Sequence, residues 1–159
     1  MNLPSNWQSY AFGSAFFAAL TALFGKLGVA NINSNYATFI RTIVILCVTA
    51  AIISARDEWQ KPQQVAPSTW LFLVLSGIAT GLSWLCYYRA LQLGPVSKVA
   101  PVDKLSVALA IVLGILFVGE TLTWPVALGG ALIVSGSVII IVFLSAPRQA
   151  ADAPDRNRA

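Results

Sequence analysis

The chain has 159 residues, of which 57% are hydrophobic and only 10% are charged, and its mean hydropathy is +0.75. A soluble domain carries about 25% charged residues, so this composition excludes a water-soluble globular domain and predicts an integral membrane protein. The net charge of +4 comes from scattered basic residues, a distribution that indicates membrane topology and not nucleic-acid binding.

Five apolar segments predict five transmembrane helices and an all-α membrane fold. A helix needs about 20 apolar residues to cross the hydrocarbon core, and three runs without a charged side chain reach that length. Two shorter runs reach it only if Arg41 and the Asp103–Lys104 pair enter the membrane zone. In chain order, the predicted spans are residues 7–29, 36–55, 69–91, 95–118 and 124–144.

The connections between the spans are short and carry turn residues. The first span follows no basic segment and has full spanning length, which predicts a retained helix and not a cleaved signal peptide. Residues 31–35 are a polar turn with helix-capping side chains, and residues 56–67 form the longest loop. Gly94–Pro95 is predicted to end the third span and begin the fourth, and residues 119–123 are a tight turn before the fifth.

The basic residues predict the orientation in the membrane. One side holds only Arg56 and Lys61. The other eight lie on the opposite side, at Lys26, Arg41, Arg89, Lys98, Lys104, Arg148, Arg156 and Arg158. Because cytoplasmic flanks carry an excess of lysine and arginine, we expect the N-terminus outside and the C-terminus in the cytoplasm.

Four charged side chains are candidates for lying inside the membrane, and they are Lys26, Arg41, Asp103 and Lys104. An intramembrane charge costs at least about 2.5–3.5 kcal/mol near the bilayer centre and is a candidate for function. Lys26 and Arg41 have a structural alternative, since both are close enough to an interface to extend towards water. Asp103 has a different structural alternative, as the counter-ion of Arg41 or Lys26. Lys104 has no structural alternative, unless the fourth span begins at Pro101.

The start of the fourth span allows two interpretations. Pro101 has no N–H for the Ser97 carbonyl and is expected to kink the helix, and the spacing of Ser97, Pro101 and Lys104 places them on one face. In one interpretation, residues 95–100 are unwound and present carbonyls to a water-filled cavity, as in transporter helices. In the other, the helix is merely kinked and Asp103 complements its N-terminal dipole.

Aromatic residues mark the end of the third span. The pattern here is typical of an aromatic belt with an arginine that reaches the cytoplasmic interface. The residues are Trp84, Tyr87, Tyr88 and Arg89. Trp84 and Tyr88 are also four residues apart and share a helix face, so they are candidates for lining a cavity.

The sequence predicts neither an enzyme nor a cofactor or metal site. It contains no histidine, so it has no Ser-His-Asp arrangement and no histidine ligand. Cys47 and Cys86 lack CxxC spacing and are interpreted as small core or lipid-facing residues. No nucleotide-binding glycine motif is present, so ATP-driven pumping by this chain is not supported.

Several motifs resemble the EamA domain of the drug/metabolite transporter superfamily. They are Arg-Ala-Leu at 89–91, Gly-Pro-Val-Ser at 94–97, Gly-Glu at 119–120 and Gly-Gly at 129–130. The first two spans are similar to those of short bacterial members with a single such domain, and the resemblance covers about residues 8–144. It implies one EamA-type bundle of five helices, a single domain at 1–146 and location in the bacterial cytoplasmic (inner) membrane. The tail at 147–159 is polar and lacks large apolar residues, which predicts that it is disordered.

The resemblance also implies a function. It points to secondary transport of a small organic metabolite by alternating access, with a non-transporting subunit of another transporter or enzyme as the alternative. Ten-helix members contain two such domains in opposite orientations around one cavity, so we expect a homodimer or a pair with a related five-helix protein. The charge bias favours a single orientation. The partner is therefore either a reversed paralogue or a parallel copy, and both remain open.

The charge balance of the spans predicts the substrate. Three basic side chains against Asp103 favour an anionic or zwitterionic ligand. Small multidrug resistance relatives use a glutamate in their first helix, which this chain lacks, so exchange of cationic drugs for protons is not expected. The predicted partners are the lipid bilayer, the substrate and a second five-helix chain, without nucleic acid. The candidate substrate-binding residues are Lys26, Arg41, Trp84, Tyr88, Ser97, Asp103 and Lys104.

Overall fold

The computed structural model of the protein describes residues 7–144, and every regular element in that range is helical. The helices are α1 (Trp7–Gly28), α2 (Ser34–Arg56), α3 (Pro67–Leu93), α4 (Val96–Asp103), α5 (Leu105–Leu113) and α6 (Trp124–Leu144). A short 3₁₀ turn at Pro62–Gln64 precedes α3, and a π-helical turn at Gly114–Val118 follows α5.

Five helical segments in the described part of the chain are long and apolar enough to cross a membrane. They are α1, α2, α3, the interrupted segment Val96–Val118 and α6. The predicted all-α membrane fold is therefore confirmed, with span limits within about two residues of those expected. The tail predicted to be disordered at 147–159 lies outside the described residues, and the single domain at 1–146 stays a prediction.

Both ends of α2 are capped within the chain. The Asn33 side-chain oxygen accepts from the backbone N–H of Asn35 at 2.9 Å and of Tyr36 at 3.4 Å, which provides partners for two N–H groups that the helix leaves free. At the other end Asp57 adopts a left-handed conformation with φ of 54°, and Glu58 N–H donates to the Ile53 carbonyl at 3.0 Å. The helix thus begins two residues earlier than the sequence predicted.

The fourth span is helical on both sides of one short interruption. Residues 96–103 are helical as α4, so the segment 95–100 is not unwound, and the interruption falls at Lys104 between α4 and α5. Lys104 N–H donates to the Pro101 carbonyl at 3.1 Å, a bond three residues back that tightens the turn. The hydroxyl of Ser137 on α6 also donates to this carbonyl, at 2.8 Å.

A glycine turn ends the fourth span. Gly119 has φ of 78°, a left-handed conformation that glycine adopts without a steric penalty, and Glu120 N–H donates to the Gly114 carbonyl at 3.2 Å. The Glu120 carboxylate lies close against Gly114, because a Cβ at that glycine would be 2.9 Å from Glu120 Oε2. Both residues of the Gly-Glu motif therefore have a local structural role.

The described chain divides into two compact units between Val96 and Ser97. In the first unit α3 packs against both α1 and α2, and in the second α5 packs against α6. The buried apolar side chains are few, at Ala22, Val29, Ala37, Tyr88 and Leu91, and most large apolar side chains are exposed. This distribution suits a protein whose surroundings are apolar lipid and not water.

Candidate functional site

Lys26 lies where the C-terminal ends of α1 and α3 meet. Its ammonium donates to the backbone carbonyl of Leu91 at 2.5 Å and to that of Gly94 at 2.9 Å. The last carbonyls of a helix have no partner within the helix, and a cation is favourable at this end of the helix dipole. Lys26 therefore caps α3 from the neighbouring helix.

Gln92 makes the reciprocal connection. Its amide nitrogen donates to the carbonyl of Val29 at 3.2 Å and to that of Ile32 at 2.8 Å, both just after α1. Its amide oxygen accepts from Arg89 at 2.7 Å. We call Lys26 and Gln92 together the α1–α3 clasp, since each side chain provides hydrogen bonds for carbonyls at the end of the other's helix.

Arg41 lies over two aromatic rings of α3. It is the eighth residue of α2, which places its backbone about 10 Å along the axis from the start of the helix. The guanidinium carbon is 3.9 Å from the centroid of the Trp84 ring and 5.3 Å from that of Tyr88. Both distances are within the range of cation–π attraction. The structure thus brings together three of the seven predicted site residues.

One nitrogen of Arg41 has an unused hydrogen-bonding capacity. Nη1 is buried and has no hydrogen-bond partner among the described residues. Leaving a buried donor unpaired costs about 1–3 kcal/mol, and more when the group is charged. Such a group needs a specific explanation, of which an absent ligand, ion or water is one. Arg41 therefore presents a free charged donor.

Arg41 also lines a cavity between α1 and α2. The cavity has a volume of about 610 Å³, and Tyr88 of α3 contributes to its lining. This volume is in the usual range of small-molecule sites, about 300–1,000 Å³. Most lining side chains are apolar, and among the described lining residues Arg41 is the only charged one.

Two glycines of α1 shape this cavity. A Cβ at Gly25 would lie 3.2 Å from the Tyr88 hydroxyl and 3.4 Å from Leu91 Cδ1, so the missing side chain lets α1 approach α3 closely. A Cβ at Gly28 would meet nothing within 4 Å, although Gly28 lines the cavity. The first glycine therefore serves packing, whereas the second leaves space.

The other three predicted site residues belong to the second unit. Asp103 and Lys104 pair with each other at 3.5 Å, with side-chain exposures of 36% and 53%, and Ser97 is exposed. The pair neutralises two neighbouring charges locally. The predicted contribution of all three to substrate binding stays a prediction.

Sequence reasoning missed several residues of the cavity and the clasp. Phe17, Phe24 and Gly28 line the cavity, but on an apolar helix they resemble lipid-facing residues and give no distinguishing signal. Gln92 carried a usable signal, because an uncharged amide near the end of an apolar span requires hydrogen-bond partners.

Comparison with known proteins identifies similar chains. The chain matches the EamA-like transporter family over residues 5–142. An uncharacterized transporter in the cobO 3' region of a Sinorhizobium species is 55% identical over 141 residues, which cover 89% of this chain and 100% of that protein. An uncharacterized protein of Methanocaldococcus jannaschii is 32% identical over 71 residues, which cover 45% of this chain and 52% of that protein. No solved structure matches the chain.

Proposed function

This chain belongs to the EamA-like transporter family, and from that premise we propose that it is a secondary transporter of a small organic metabolite in the bacterial cytoplasmic membrane. The family, the transporter name of the Sinorhizobium relative and the five apolar helices support a membrane transporter. Because the sequence has no nucleotide-binding motif, we propose that a gradient and not ATP drives transport. From the transporter family we also propose that the chain is not an enzyme.

The observation that carries the proposed substrate class is Arg41, which lines the cavity and has a buried nitrogen without a described partner. A charge removed from water is costly unless an opposite charge and hydrogen bonds compensate it. Among the described residues Nη1 has no such partner, and an anionic or zwitterionic substrate would supply one. A zwitterion would bring its negative end to Arg41. The role of Lys104 and Asp103 in substrate binding stays a separate prediction from the sequence.

The proposed mechanism is alternating access by a dimer. One five-helix chain corresponds to half of the ten-helix arrangement that it resembles, and in such folds one repeat moves against the other around a central site. The partner is a second copy or a related five-helix protein. Crosslinking in native membranes tests this point, because a species that stays monomeric at every crosslinker concentration would contradict the dimer.

The proposed topology has the N-terminus outside and the C-terminus cytoplasmic, as the basic residues predict. Reporter fusions after Ala159 and within the 56–67 loop should report opposite sides of the membrane. A C-terminal reporter located outside would reverse the orientation, and an equal mixture of both would indicate dual topology.

Transport itself is tested in proteoliposomes. The purified chain is reconstituted and loaded in turn with amino acids, monocarboxylates, dicarboxylates, phosphorylated metabolites, sugars and a cationic dye, and counterflow is measured. We expect saturable exchange of at least one anionic or zwitterionic class. Transport confined to the dye or to sugars would contradict the substrate class. Absence of all transport, together with co-purification of another membrane protein, would support the non-transporting subunit instead.

A further inference from the structure

We infer that the cavity between α1 and α2 binds a monocarboxylate carried on an apolar body, with the carboxylate on Arg41. The inference deepens the proposed function and rests on it in treating the bound molecule as the transported one. It follows from the guanidinium of Arg41, from the net charge of the lining and from the apolar walls.

The guanidinium of Arg41 favours a carboxylate. Its carbon lies 3.9 Å from the centroid of the Trp84 ring, and Arg41 also lines the cavity. Its Nη1 is buried and unpaired among the described residues, so the guanidinium keeps hydrogen-bonding capacity that the described residues do not use. Arginine binds planar carboxylates through two parallel hydrogen bonds, which gives it an orientation that a point charge lacks.

The net charge of the lining favours a single negative charge. Arg41 is the only charged residue among the described lining residues. A dicarboxylate or phosphate dianion would keep one negative charge without a partner in an apolar space, where unpaired charge is strongly unfavourable. The single negative charge of a monoanion is balanced by the single positive charge of Arg41.

The walls favour an apolar body. The side chains of Phe17, Leu20, Phe24, Ile40 and Val44 line the cavity and offer no hydrogen-bond partner. Sugar hydroxyls placed against them would lose their partners in water without replacement, whereas an aryl or alkyl group would gain by leaving water. Among the described lining residues, only Thr21 and Tyr88 carry a hydroxyl.

Two sources share this ligand chemistry. One is a soluble aryl or short alkyl acid from the aqueous phase, and the other is a fatty-acid anion from the bilayer. The test uses the full-length protein in nanodiscs of uncharged phosphatidylcholine and measures binding by calorimetry. The probes are phenylbutyrate, its neutral amide, succinate, inorganic phosphate and palmitate.

For the wild-type protein we expect phenylbutyrate to bind at least about tenfold more tightly than its amide, the effect of one lost charge-assisted contact. Succinate and phosphate should bind more weakly than phenylbutyrate. Arg41→Gln should lose about tenfold or more in affinity for phenylbutyrate and little for the amide, with Arg41→Lys between the two. Arg56→Gln is the matched control, since Arg56 is exposed and pairs with Glu58 at 3.7 Å.

A second pair of variants tests the volume of the cavity without changing charge. Gly28→Leu should fill open space in the cavity and weaken phenylbutyrate binding at least about tenfold. Gly13→Leu is its control, because Gly13 lies on the same helix, a Cβ there also meets nothing within 4 Å, and Gly13 does not line the cavity.

Each outcome decides the inference. Equal binding of phenylbutyrate and its amide, tighter binding of succinate or phosphate, or unchanged affinity in folded Arg41→Gln would overturn it. If palmitate alone binds and its binding depends on Arg41, the site is supported and its ligand comes from the bilayer. If binding fails while proteoliposomes transport another class, the proposed function survives without this inference. If binding depends on Arg41 but nothing is transported, the site stands and the proposed function fails.

Discussion

The two units differ in how far the polar groups of their apolar helices are paired. In the second unit, Ser137 donates to the Pro101 carbonyl near the helix interruption, and Asp103 and Lys104 neutralise each other. In the first unit, the α1–α3 clasp joins two helix ends, but Arg41 keeps a buried donor without a described partner. An unpaired group is costly to keep, so the difference indicates that the first unit holds the stronger candidate for ligand binding.

The largest expected effect compares transport by Arg41→Gln and Lys104→Met. We expect Arg41→Gln to reduce transport about tenfold or more, since the ligand loses a charge-assisted contact. Lys104→Met should reduce it less, because Asp103 already offsets the Lys104 charge. Both variants should keep their membrane abundance and Tm. A larger loss for Lys104→Met would move the site towards the second unit.

Lys26→Met should cause the largest loss of stability. It removes the charged donor from the Leu91 and Gly94 carbonyls, which corresponds to about 2 kcal/mol. Thermal unfolding in detergent micelles measures the change, and Lys61→Met, at an exposed loop lysine, is the control. Equal Tm values for both variants would show that the clasp contributes little and would return Lys26 to the candidates for ligand contact.

Gln92→Leu should destabilise less, by about 1 kcal/mol, since its bonds to Val29 and Ile32 are between neutral groups. The double variant with Lys26→Met tests whether the clasp acts as one unit. If it does, the combined loss of unfolding free energy will be smaller than the sum of the single losses. Strict additivity would mean that the two side chains stabilise the helix ends independently.

Ser137→Ala tests the second unit. The buried hydroxyl bonds across to another helix, and such bonds in membrane proteins contribute about 0.6 kcal/mol on average. Ser135→Ala is the matched control, because its hydroxyl is exposed and bonds to Ala131 of its own helix. A loss as large as that of Lys26→Met would contradict the contrast between the two units.

The smallest expected effect is a gain, at the end of α2 away from the clasp. Asp57 is a non-glycine residue at positive φ, and its negative charge lies at the unfavourable end of the helix dipole. We expect Asp57→Gly to raise the free energy of unfolding by about 0.5 kcal/mol, because it removes both the positive-φ side chain and the charge. Asp57→Asn should give only the smaller gain that comes from removing the charge. A loss of stability in both variants would mean that the carboxylate has a favourable contact.

The sequence by itself determined the five spans, since spanning length and the absence of charge are local properties. It also determined that Trp84 and Tyr88 share a face, and it identified Arg41 as an expensive charge that requires a reason. Only the tertiary structure decided what each charge does. Lys26 meets carbonyls 65 and 68 residues away, and Arg41 meets rings on another helix. The cavity depends on how far two apolar helices separate, and apolar side chains carry the same sequence signal whether they face lipid, a neighbouring helix or a ligand.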